Sequence, residues 1–181
     1  MKSMYDGLLI CNGPMLEVDY ESVKVFDFKM IVSVNHAYKR IKCDREIYWV
    51  SVTPIEHMMK TDPDINNKVV PVYFKNKTGM NSLKMEKDDY PPFLVNPGVS
   101  LFCALHYMVC KGMKNIVSVG LNLEPWPGGT YNRNGASDGR HIFENIKRIF
   151  HSYTNYDLHD LGVSFLSASL FSYPPKKRGP V

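Results

Sequence analysis

No apolar run in the sequence approaches the roughly 18 residues that a membrane-spanning helix requires, so a transmembrane anchor is not expected. Cysteine is sparse. The four residues Cys11, Cys43, Cys103 and Cys110 form no Cys-x-x-Cys pair and sit mostly in apolar runs. That pattern suits buried free thiols in a reducing, cytoplasmic setting rather than a disulfide framework. Cysteine and histidine also miss the short intervals of a zinc site, so no metal is expected. A large excess of one charge sign is absent: 22 Lys and Arg against 18 Asp and Glu leave a formal net charge of +4. Much of the excess lies in the tail Lys176-Lys177-Arg178. An anionic ligand is compatible with this mild balance, which does not by itself argue for DNA binding, and nucleic acid is not expected as a partner. Met1 to Tyr5 leads straight into the first apolar run, so no signal peptide is expected. Internal repeats and domain linkers are lacking too.

What remains is an ordinary globular composition, 44% hydrophobic and 22% charged over 181 residues, enough for one core. The expected organisation is a single domain over residues 1–172 and a basic, Pro-rich tail over 173–181. Strand and helix patterns alternate. Leu8–Cys11, Met30–Val34 and Glu46–Val52 read as strands, followed by a short helix from Ile55 that stops before Asp62-Pro63. Lys68–Phe74 is a fourth strand, placed at an edge or a bulge by Pro71. The apolar run from Gly98 to Lys111 reads as a buried helix capped by Gly112. Asn115–Gly120 is a fifth, central strand, and Val163–Leu166 closes the sheet after a last long helix carrying Ile142, Phe143, Ile146, Ile149 and Phe150.

The first forty residues carry the strongest functional signal. Leu8-Leu9-Ile10-Cys11 stops abruptly at Asn12-Gly13-Pro14, and the second apolar run stops the same way at Asn35-His36. Two strands that each deliver an Asn at the carboxyl end suit an open parallel sheet with a ligand above its tips. Gly13 lets backbone approach a ligand closely, and Pro14 prevents a simple helical continuation. An Asn side chain offers both donor and acceptor, as reading a nucleobase or ribose requires. The same dipeptides also suit ordinary strand-ending turns.

Ile10 to Pro14, followed by Asp19-Tyr20, resembles the opening of bacterial lipo-oligosaccharide sialyltransferases, and the Val34-Asn35 turn is similar to that family's second-strand Asn. Asn96-Pro97-Gly98-Val99, the Cys- and Ala-bearing helix, Lys111-Gly112 and Ile116–Gly120 resemble a later stretch of the same family. The helix after His141 and the strand Val163–Ser167 match its closing elements. A broader clan with the same elements includes archaeal 6-hydroxymethylpterin pyrophosphokinase-like proteins and viral proteins. The resemblance implies a single Rossmann-like α/β domain, a mostly parallel twisted sheet with helices on both faces. It also implies a metal-independent, inverting glycosyltransferase that takes a nucleotide sugar as substrate and passes the sugar to a hydroxyl acceptor, for instance on a glycan.

By the same resemblance Asn12 and Asn35 contact the nucleotide, with Gly13 and Pro14 shaping the elbow. Departures are specific. Thr53 stands at the third-strand exit where the family has an amide, Pro97 replaces a Ser, and Asn122 replaces an Asp. These changes touch groups that recognise donor or acceptor, so the resemblance carries the nucleotide rather than sialic acid as the sugar. Gly98 opens a helix whose free N–H groups favour a diphosphate or carboxylate, or else it eases helix–sheet packing. His141 follows a Gly-rich loop where the family places its catalytic His, and an imidazole can act as base at neutral pH. Tyr131 lies in the loop that holds the family's phosphate-contacting tyrosines, and its hydroxyl can stabilise a leaving phosphate without a metal.

Other candidates have plainer readings. His106 falls within the apolar helix as a core residue, His36 adjoins the second strand tip, and His151 and His159 lie in polar surroundings. Asp62-Pro63-Asp64 spells a metal-binding Asp-x-Asp, but Pro at its centre favours a turn. Arg133, Arg140, Lys147 and Arg148 suit either a phosphate contact or a solvated basic face. A second function class stays open, a nucleotide-binding protein that transfers no sugar: a pyrophosphokinase-like enzyme or a ligand-sequestering module. Homo-oligomer formation is likewise open.

Overall fold

The computed structural model describes residues 4–51, 55–61, 68–73, 100–121, 150 and 158–168. Six strands form one sheet: β1 Gly7–Ile10, β2 Met30–Val34, β3 Ile47–Ser51, β4 Val69–Tyr73, β5 Asn115–Val119 and β6 Ser164–Ser167. Their order is β4-β3-β2-β1-β5-β6, and every neighbouring pair is parallel. The fold is α/β and Rossmann-like, as expected, and β1 is flanked by β2 and β5.

Parallel strands bury both faces, so their sequences run apolar without a polar alternation. β1 reads Gly-Leu-Leu-Ile and is buried throughout. Its neighbours divide by parity between two cores. Leu9, Met30, Val32, Val34 and Val50 pack with α3, Ser100–Cys110, on one face. Leu8, Ile10, Ile31, Ile47, Trp49, Val117 and Val119 pack with α1, Leu16–Val23, on the other. Each fully buried Leu or Ile contributes about 1.5–3 kcal/mol of transfer free energy, so these two layers are what hold the sheet between its helices.

Three details differ from the sequence pattern. α1 starts at Leu16, two residues after Pro14, so the proline delays the helix rather than preventing it. Its buried residues Leu16, Tyr20 and Val23 recur at helical spacing and form its sheet-facing stripe. β5 is not central: it lies between β1 and β6, second from the edge. The chain builds outward from β1 through β4, then returns to the free side of β1, where only β6 is added beyond it. Strand ends differ by a residue in places: β1 and β6 are each shifted by one from the expected ranges, β3 and β4 are one residue shorter at each end, and β2 matches at both ends. β4 does lie at an edge, where Pro71 removes a ladder donor at little cost.

α2, Ile55–Thr61, follows β3. α3 ends in a Schellman arrangement: Met113 N–H donates to Met108 C=O at 3.0 Å and Gly112 N–H to Val109 C=O at 2.9 Å. Gly112 has φ 81°, the left-handed value that this cap needs and glycine adopts without strain. Among the described residues, no helix is long and apolar enough to cross a membrane. The four thiols are free, with Cys11 and Cys103 buried.

Candidate functional site

In a doubly wound sheet, the crevice for a ligand opens at the carboxyl ends of the strands where the winding reverses. Here that reversal falls between β1 and β5. Backbone bonds close the β1 side of it: Cys11 N–H donates to Val119 C=O at 2.9 Å, and Gly13 N–H to Gly120 C=O at 2.7 Å. Gly120 has φ 62°, and a Cβ there would collide with the Cys11 carbonyl oxygen and stand 2.8 Å from Leu16 Cβ. Only glycine lets β5 pass so close to the elbow after β1. The Gly120 N–H is met by Asp19 Oδ2 at 2.9 Å, from a carboxyl group that α1 buries to 1% exposure.

Asn12 and Asn35 stand at the tips of adjacent strands. The β1–β2 register pairs Ile10 with Ser33, and each Asn lies two residues further along its own chain segment. Both are exposed. Asn35 takes φ 52°, a left-handed turn that Asn tolerates better than most residues, and its N–H donates to Val50 C=O at 3.2 Å. Its Oδ1 accepts the hydroxyl of Ser100, the first residue of α3, at 3.1 Å. This contact ties the tip of β2 to the amino end of the helix on the opposite layer from α1.

After Asn35 the chain makes a 3₁₀ turn, Ala37–Arg40, positioned by the Tyr38 N–H on the buried Ser33 Oγ at 2.9 Å. The turn returns Arg40 to the β1 elbow. Its Nε and Nη2 hold both oxygens of Glu17 on α1 at 2.8 and 2.7 Å, a two-pronged pairing. Nη1 reaches Gly13 C=O at 2.9 Å, Asn12 Oδ1 at 3.0 Å and Asn12 C=O at 3.3 Å. The guanidinium holds the Glu17 carboxyl below the ordinary carboxylate range. Pro14 is half-buried beside this clamp, and Gly13 is buried within it.

His36, next to the β2 tip, is half-buried with its ring 4.8 Å from that of Trp49, inside an aromatic group that includes Tyr38. His106 is wholly buried in α3, with Nε2 3.4 Å from Cys110 Sγ, and burial lowers its pKa to about 4. His159 is exposed. Burial pushes the Cys11 and Cys103 thiols up to about 12, which leaves neither as a nucleophile. Thr53, Gly98, Asn122, Tyr131 and His141 lie outside the described residues, as do Asp62, Asp64 and the basic group from Arg133 to Arg148. Among the described residues, no group of three His, Cys, Asp or Glu side chains is arranged to hold a metal ion.

The structure thus brings Asn12, Gly13, Pro14 and Asn35 together at one end of the sheet. It adds four residues to which the sequence pattern assigns no role in the site: Glu17, Asp19, Arg40 and Ser100. Asp19 and Gly120 stand among the residues that carry the family resemblance. Arg40 leaves no such trace, because its partners Asn12 and Glu17 are 28 and 23 positions away. Comparison of the chain with protein-family models, with curated proteins and with solved structures finds no match.

Proposed function

We propose that this protein is a metal-independent glycosyltransferase that takes a nucleotide-sugar donor and transfers the sugar, with inversion, to a hydroxyl acceptor. The observation that carries the reading is the pair Asn12 and Asn35, both exposed just past the tips of adjacent parallel strands beside the β1–β5 reversal. In this reading both amides and the Gly13 elbow hold the nucleotide, with Thr53, Gly98 and Asn122 completing its cradle. In the transfer, the acceptor oxygen bonds to the anomeric carbon as the bond to the phosphate oxygen breaks. His141 takes the acceptor proton, and the phosphate leaves with the bonding pair, stabilised by the Tyr131 hydroxyl.

A thermal-shift panel of nucleotides and nucleotide sugars, with and without magnesium, tests the donor half. Stabilisation by at least one nucleotide, independent of magnesium, is expected; none across the panel would overturn the reading. Asn12→Ala and Asn35→Ala should each weaken that nucleotide by about 1–3 kcal/mol. Turnover assays test the transfer half: His141→Ala should slow it by about 10²–10⁴-fold while binding survives, and excess chelator should leave it intact. The strand-tip pair equally favours a nucleotide-binding protein that transfers no sugar, and binding without turnover on any acceptor would establish that second reading.

A further inference from the structure

We infer that the β1 and β2 tips recognise a ligand edge made of hydrogen-bond acceptors, and that Arg40 is the positioning residue that sets this polarity at Asn12. The inference rests on the proposed nucleotide site and specifies which half of each amide faces the ligand. A guanidinium has donors only, so the Asn12 atom 3.0 Å from Arg40 Nη1 is the amide oxygen. The amide nitrogen, with its two donors, is therefore turned away from Arg40, and among the described residues it has no hydrogen-bond partner.

The orientation is held from several sides. Nε and Nη2 of Arg40 are committed to Glu17, and Nη1 also binds the Gly13 carbonyl. Rotating the guanidinium would break bonds at more than one of these groups, and flipping the Asn12 amide would turn N–H donors towards Nη1, itself a donor. The adjacent tip repeats the pattern by different means. Asn35 Oδ1 is taken by the Ser100 hydroxyl, which leaves its amide nitrogen without a partner among the described residues. The two amides stand beyond the ends of neighbouring paired strands, and each amino group offers two N–H donors. Their complement is a ligand that presents acceptors, the oxygen atoms of a phosphate or the carbonyl and ring nitrogen of a base.

The discriminating substitution is Asn12→Asp, which keeps an oxygen for Arg40 and removes the outward donors. Melting temperature, measured without ligand at pH 7, tests the polarity. Asn12→Asp should match or exceed the wild type when Arg40 is present and should fall below its own parent in an Arg40→Gln background. An equal drop in both backgrounds would overturn the inference. Binding tests the recognition. CMP, UMP, AMP and GMP are titrated first, then the nucleoside and ribose 5-phosphate corresponding to the tightest binder. Asn12→Asp should weaken the tightest nucleotide by about tenfold or more with the fold intact, because a carboxylate facing an acceptor edge repels it. Loss carried over to the nucleoside assigns the edge to the base; loss carried over to ribose 5-phosphate assigns it to the phosphate. Undiminished affinity in Asn12→Asp would mean that the oxygen faces the ligand and would overturn the inference. If none of the four nucleotides binds, the nucleotide reading falls by itself, and the melting comparison still decides the polarity set by Arg40.

Discussion

The two ends of β1 are stitched to their neighbours by chemically similar side chains with different outcomes. At the amino end, Asp6 Oδ2 accepts the N–H groups of Lys114 and Asn115 at 3.0 and 3.1 Å and the Asn115 amide at 3.3 Å. Its other oxygen meets Lys29 Nζ at 3.3 Å, next to β2. Burial would raise this carboxyl, but those donors outweigh it and hold it below the ordinary range. At the carboxyl end, Asn12 does comparable work through Arg40. A carboxylate has only acceptors, so bonding to both neighbours leaves nothing over. An amide has both kinds of group, and stitching it through its oxygen leaves its donors facing solvent. One end of the strand is sealed; at the other, the amide keeps its donors free on the solvent side.

Substitutions can break this contrast at either end, and the largest effect is expected at the β1–β5 closure. Gly120→Val should destabilise the fold by about 3 kcal/mol or more in urea unfolding, since it combines a strained φ with a collision against the Cys11 carbonyl and Leu16. Tolerance of valine would mean that the two tips do not approach as described.

Acid should weaken the protein before either end loses charge. Burial sets the His106 pKa at about 4 against an ordinary 6.5, so as pH falls the unfolded chain takes up the proton first. The corresponding stability is fully present above about pH 6.5 and is lost progressively down to about pH 4, a decline near 2 kcal/mol between pH 7 and pH 5. Urea unfolding across that range should show the slope, and His106→Leu should flatten it.

A smaller effect separates the ends directly. Asp6→Ala should cost about 1–2 kcal/mol in stability and leave nucleotide affinity unchanged, because its bonds end within the sheet. Asn12→Ala should reverse the pattern, with a stability loss under about 1 kcal/mol and a clear loss of affinity. Equal behaviour of the two variants in both assays would erase the distinction between a sealed end and a binding end. The pair can be sharpened with Asp19→Ala, which leaves the Gly120 N–H without its acceptor and should act on stability at the binding end.

Much of this architecture is decided locally. Runs such as Leu8–Cys11 and Met30–Val34 are apolar on both faces, which only a sheet covered on both sides can use, and Gly112 marks the end of α3 because a helix cap needs its positive φ. The elbow Asn12-Gly13-Pro14 and the turn at Asn35 are visible for the same reason: strand exits are short-range events written in turn residues. Strand order is not local, so the place of β5 one strand from the edge emerged only with the packed sheet. The orientation of the Asn12 amide is less local still. It depends on a guanidinium 28 residues away and a carboxylate on α1, brought together by a 3₁₀ turn that rests on Ser33. Sequence could nominate two asparagines as ligand contacts, but an amide is symmetric in its capacity to give and accept. Which half it offers is decided by the partner that tertiary structure places behind it.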